Sequence, residues 1–122
     1  MTPSAPAPDR FLPLRPIEFE ILLTLAGGER HGYAVLQETE QRSGGTLHLE
    51  TGTMYRALHR LVHDGLARPC DRRPTGDGED ERRRYYAITA LGRRVAVAEA
   101  QRLERLVVAA RAARLIPSPA TA

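Results

Sequence analysis

At 122 residues with a formal net charge of +3, the chain has room for one small domain with tails, and its core is modest enough for a second subunit to help complete it. All 18 basic residues are arginine; GC-rich coding accounts for that ratio but not for where the arginines sit, and guanidinium groups suit phosphate and guanine contacts. The single cysteine, Cys70, excludes an intramolecular disulfide and suits a reducing cytoplasm, no apolar run nears the roughly 20 residues of a membrane span, and the opening MTPSAPAPDR lacks the basic and apolar regions of a secretory leader.

Residues 1–15, rich in Pro and Ala, read as a flexible arm without structure until about Phe11, where Phe11, Leu12 and Leu14 can pack on the domain. Pro16 suits the first turn of a helix, Ile17, Ile21, Leu22 and Leu25 recur at helical spacing, and Gly27-Gly28 ends the run. A second helix is expected from His31-Gly32-Tyr33 to about Arg42, broken by Ser43-Gly44-Gly45. Residues 46–49 alternate weakly, like a short strand or extended linker. The third helix is the most informative segment, GTMYRALHRLVHDGL over residues 52–66. Thr51 is the expected N-cap, with Glu50 as alternative. One side carries Leu58, Leu61 and Val62, and Thr53, Tyr55 and Arg56 occupy the first turn. Such a helix can bury one stripe and hold a row of hydrogen-bonding side chains outward, as a reader of the DNA major groove must.

Leu66 to about Arg73 reads as a strand that Pro69 confines to a sheet edge. Residues 74–81 form a polar acidic turn, and Arg84–Thr89 returns with Tyr86 and Ile88 on one face and Tyr85 and Ala87 on the other. Thr89 can cap a last helix that runs to about Leu115, before Pro117. Along it Ala96, Ala100, Leu103, Val107 and Ala110 repeat at spacings of 4, 3, 4 and 3, a heptad-like seam that Leu106 widens. So long a helix on so small a domain finds its simplest partner in a second copy of itself. The predicted fold is mainly α with a small β-wing: a winged helix-turn-helix over 16–89, a C-terminal dimerisation helix over 90–116 and a disordered tail over 117–122.

These segments resemble the PadR family of transcriptional regulators. The resemblance rests on ILLTLAGGERHGYAVLQETEQRSGG, LETGTMYRALHRLVHDGL and ERRRYYAITALGRR, which stand in the family's order and spacing over about residues 17–115. The single C-terminal helix is similar to that of the family's shorter members. The resemblance implies a winged-helix homodimer on operator DNA, usually a repressor, and in some members a small-molecule effector that releases the DNA. The chain departs from the pattern at Thr51, where members often have Pro, and in lacking the tryptophan with which multidrug-sensing members stack flat drugs.

Double-stranded DNA is thus the expected partner. Arg56 can reach a guanine edge, Thr53 and Tyr55 a phosphate or base, and His59 and Arg60 the backbone, which positions without reading sequence. Tyr55 can instead pack partly into the core, and Arg60 can pair within the protein. The resemblance implies that His31, Gly32 and Tyr33 lie near phosphates, Gly32 permitting close approach. Arg82, Arg83 and Arg84 form the clearest basic cluster on the wing. Strand alternation stops all three from facing one way, and the acidic tip (Asp77, Glu79, Asp80, Glu81) would be repelled by DNA, so the wing's base is the expected contact. No catalytic motif, cofactor site or metal site is expected: serine occurs only at 4, 43 and 118, and neither a phosphate loop nor HExxH is present. Two other readings stay open. One is a winged-helix module that binds protein. The other is a regulator sensing metal through His59 and His63 or oxidants through Cys70.

Overall fold

The computed structural model describes residues 7–44, 50–70 and 84–117. Pro8–Phe11 wind into a short 3-10 helix that packs against the last helix of the chain. The arm is therefore ordered earlier than its composition suggests. Phe11 and Leu12 lie against the core and Leu14 is buried in it, which supplies apolar contacts for a segment with few of its own. Helix α1 (Pro16–Ala26) starts on proline, has Gly27 as its C-cap and passes into Gly28 at φ 137, a conformation that favours glycine.

A two-residue strand β1 (Arg30–His31) precedes α2 (Gly32–Arg42). His31 is the N-cap of α2, its Nδ1 accepting the Ala34 N–H at 3.1 Å. That bond assigns the remaining ring proton to Nε2 when the imidazole is neutral. Helix α3 (Thr51–His63) has Glu50, not Thr51, as its N-cap residue, and no side chain caps it. Thr51 already has helical geometry, so its hydroxyl is displaced from the capping position. The helix ends in a Schellman motif: Gly65 takes φ 80, Leu66 N–H donates to the Leu61 carbonyl, and Gly65 N–H donates to the Val62 carbonyl.

Strands β2 (Ala67–Cys70) and β3 (Tyr85–Ile88) complete an antiparallel sheet of order β1-β3-β2. Ala67 opposes Ile88, Cys70 opposes Tyr85, and His31 faces Tyr85 from the other side. Pro69 lies on an edge strand as expected, where its missing N–H costs no ladder bond. The segment joining β2 to β3, with the acidic tip, and the expected strand at 46–49 lie outside the described residues. Helix α4 (Ala90–Ala112) begins at Thr89, whose Oγ1 accepts the Gly92 N–H at 2.9 Å. It stops about three residues earlier than the sequence suggests, because Arg114 adopts φ 64 and Leu115 N–H turns back to the Ala110 carbonyl.

The core joins Ile21, Leu22 and Leu25 of α1, Val35 of α2, Met54, Leu58 and Leu61 of α3, Tyr86 of β3 and Val95 of α4. Burying each large apolar side chain contributes about 1.5–3 kcal/mol before ordering costs. One acid lies deep against this core. Glu99 is 2% exposed and both its oxygens accept from Arg102, at 2.7 and 2.9 Å. Those hydrogen bonds hold the Arg102 pKa above its ordinary value. Three helices with a small sheet laid against them and a long trailing helix make a winged helix-turn-helix. Among the described residues no helix is long and apolar enough to cross a membrane.

Candidate nucleic-acid interface

Successive α-helical residues turn by about 100°. On α3 this brings Gly52, Arg56, His59 and His63 within about 60° of arc. All four are exposed, while Met54, Ala57, Leu58 and Leu61 on the opposite side are buried. Arg56 stands at one edge of this stripe, one turn in from its start. Its Nη2 donates to the Thr53 hydroxyl at 3.2 Å, and among the described residues no carboxylate forms an ion pair with it. The guanidinium is thus steadied one turn inside the helix and its remaining donors stay available. From Gly52 to His63 the row covers roughly 16 Å of helix axis.

The two flanks of α3 are anchored. On one flank, Arg60 Nε–H donates to Glu18 Oε2 of α1 at 2.8 Å. Arg60 Nε is thus held within the protein, the alternative to its expected backbone contact, while the side chain stays 38% exposed. On the other flank the Tyr55 ring lies over Gly32. A Cβ on that glycine would stand 2.6 Å from both Cε1 and the hydroxyl of Tyr55. The Tyr55 hydroxyl is buried, so the expected contact of this side chain with DNA is not presented. Gly32 is likewise buried, and the close approach it permits is that of Tyr55. The His59 ring tilts against Tyr55 with centroids 6.2 Å apart.

Beside this face stand the start of α2 and the base of the wing. Tyr33 is 47% exposed, and His31 stacks edge-on against Tyr85 at 5.7 Å. The Gly32 N–H donates to the Arg84 carbonyl at 3.3 Å, which fixes exposed Arg84 next to the His-Gly-Tyr turn. Arg82 and Arg83 lie outside the described residues. Two residues that bear on this face escape sequence reasoning. His63 extends the exposed stripe by one turn, a position its spacing from Arg56 and His59 already gives. Glu18 carries no signal, because its partner is 42 residues away.

Helix α4 leaves much of its apolar surface uncovered. Leu106 and Val107 of the expected seam are exposed, as are Val97 and Val108 and, beyond the helix end, Leu115. Ala100 is exposed, Leu103 and Ala110 are half-buried, and Ala96 turns partly inward against its own core. The exposed face is therefore wider than the expected heptad and shifted away from Ala96. Among the described residues no group of three or more His, Cys, Asp or Glu side chains is placed to hold a metal ion.

Residues 21–98 match the model of the transcriptional regulator PadR-like family, more than half of the chain. Among curated proteins, an uncharacterised 37.1 kDa protein of transposon TN4556 from Streptomyces fradiae is 37% identical over 86 residues, 70% of this chain; the chain spans 22% of that protein's length. Similar solved structures include a PadR family transcription regulator from Clostridium difficile R20291. Its TM-score is 0.66 at 23% identity, covering 78% of this chain and 94% of that one. A PadR-like transcriptional regulator from Bacillus cereus gives a TM-score of 0.69 at 19% identity, covering 83% and 93%. RosR of H. salinarum gives 0.59 at 25% identity, covering 84% and 98%. The first two likenesses speak for the fold, and the family match rests on the sequence itself. This chain belongs to the PadR-like family of transcriptional regulators.

Proposed function

We propose that the protein is a sequence-specific DNA-binding repressor that acts as a homodimer in the cytoplasm on a near-palindromic operator. The observation that carries this reading is the outward row on α3 that includes Arg56, with an apolar face directly opposite. Arginine in the major groove can bind guanine O6 and N7 together, worth about 1–3 kcal/mol of discrimination. Thr53 and His59 would flank it, while Tyr33, His31 and Arg84, grouped beside this face, would meet phosphates and set register without reading sequence.

The exposed apolar residues of α4 support the dimer. Val107 projects from a helix whose own domain covers only its first half, with half-buried Leu103 and Ala110 a turn to either side, and a second copy of this face would bury them. Two α3 helices held in this way would enter successive major grooves about 34 Å apart. A repressor bound so would block polymerase. A small-molecule effector would release it by changing the angle between the readers, so that both no longer dock at once.

The test is a mobility-shift titration with duplex DNA from the intergenic region flanking the gene. Arg56→Ala is expected to weaken specific binding about 5- to 150-fold, the equivalent of one lost bidentate contact. Dimerisation should be retained in sedimentation. Undiminished affinity of Arg56→Ala would remove α3 from the role of reader.

A further inference from the structure

The geometry points to Glu18 as a positioning residue for DNA reading: through Arg60 it fixes the rotation of α3 about its own axis and so the direction in which Arg56 points. Glu18 lies on α1, away from the exposed stripe, with its side chain only 11% exposed. One oxygen accepts from Arg60 Nε and the other faces the Arg15 N–H at the start of α1, 3.4 Å away. The carboxylate is therefore held by its own helix while it holds the next one. Arg60 leaves α3 about 80° from the Gly52 position and Tyr55 about 60° to the other side. The two contacts, Arg60 on Glu18 and Tyr55 on Gly32, thus straddle the reading face. The buried row of Met54, Leu58 and Leu61 resists lifting of the helix but resists rolling less, because apolar contact is not directional. A charge-assisted hydrogen bond on the flank is directional and short. A few degrees of roll would carry the tip of Arg56 sideways out of bidentate register.

This inference rests on α3 being the DNA reader. Its test separates the two claims by measuring specific and non-specific affinity for wild type, Glu18→Leu and Glu18→Gln in one salt series. Glu18→Leu removes a negative charge, so simple phosphate attraction favours tighter binding. A positioning role gives the opposite sign for specific DNA. The ratio of specific to non-specific affinity should fall roughly tenfold, the size of one lost base contact, while non-specific affinity holds or rises. Glu18→Gln keeps an oxygen that can accept from Arg60 and should recover part of the ratio. Loss of folded protein alone would lower both affinities together and leave the ratio unchanged. If Glu18→Leu folds poorly, Arg60→Met breaks the same bond and leaves Glu18 on α1. It should show the same loss of ratio, and the double variant should lose no more than either alone. An unchanged ratio in both variants overturns the proposal. So does an Arg60→Met effect confined to a salt slope shallower by about 0.9, which marks a direct phosphate contact. A wild type without any preference for specific DNA overturns the reading beneath it as well.

Discussion

Gly92→Ala is the substitution whose cost the structure defines most sharply. Gly92 is the third residue of α4, buried where that helix starts against the end of α3. A Cβ there would collide with the Leu66 carbonyl oxygen and stand 2.9 Å from its carbon and 3.0 Å from Cγ1 of Ile88. Neither side of the collision can move alone. The Leu66 carbonyl accepts the Thr89 N–H at 3.1 Å, and the Leu66 N–H is committed to Leu61 in the Schellman turn. On the other side, the Gly92 N–H is held by the Thr89 hydroxyl, which itself donates to the Gly65 carbonyl at 2.7 Å. Overpacking of this kind costs about 1–3 kcal/mol, and loss of the Leu66–Thr89 bond adds about 1 kcal/mol. The better helix propensity of alanine returns up to about 1 kcal/mol. The net destabilisation is about 2–3 kcal/mol. With an unfolding entropy of about 2.1 cal/mol/K per residue, that lowers Tm by roughly 10 °C for a chain of this size. Thermal unfolding followed by circular dichroism at several protein concentrations measures it and separates folding from association. Gly65→Ala is the control. Gly65, unlike Gly92, takes a positive φ and has open space around its Cβ position, so its cost is backbone strain of about 1 kcal/mol, or roughly 4 °C. A Gly92→Ala protein as stable as wild type, or one less affected than Gly65→Ala, would refute the reasoning.

Two further substitutions probe the flank of the reading helix and the buried acid. Gly32→Ala meets the far end of a side chain and not a backbone, so the Tyr55 ring can swing away; thermal unfolding should show a loss of about 1 kcal/mol, while operator titration shows a larger proportional loss of affinity as the first turn of α3 is disturbed. Arg102→Met strips the partner from a carboxylate that is 2% exposed and should lower the midpoint of denaturant unfolding. Adding Glu99→Leu should return most of that loss, because an apolar pair of similar volume leaves no buried charge.

The helices were legible wherever a long periodic pattern was closed by a cap. The α3 stripe, the glycine that ends it at Gly65, and the Thr89 cap of α4 all follow from spacing and side-chain chemistry within a few residues. The alternation expected of β3 is less clean: Tyr86 is buried, but so is Ala87 of the other face, while Ile88 and Tyr85 are half-buried. Strand β1 was not legible, because two residues cannot show alternation; Arg30 and His31 are extended because they pair with Tyr86 and Tyr85. The site divides in the same way. Arg56 follows from its helical position, since solvent exposure opposite an apolar stripe is a local property. The fates of Arg60 and Tyr55 are tertiary: one is set by a carboxylate 42 residues earlier, the other by the missing side chain of Gly32. Both acids that matter, Glu18 and Glu99, escape hydropathy patterning, which counts glutamate as surface until its arginine is found.

The central claim, that the outward face of α3 reads duplex sequence in a paired arrangement, is tested most directly by selection of bound duplexes from a random pool with the purified protein. The expected result is an enriched inverted repeat with half-site centres about one helical turn, 10–10.5 base pairs, apart, containing a guanine whose selection disappears with Arg56→Ala. A pool that stays random, or the same guanine enriched by wild type and Arg56→Ala alike, would contradict it.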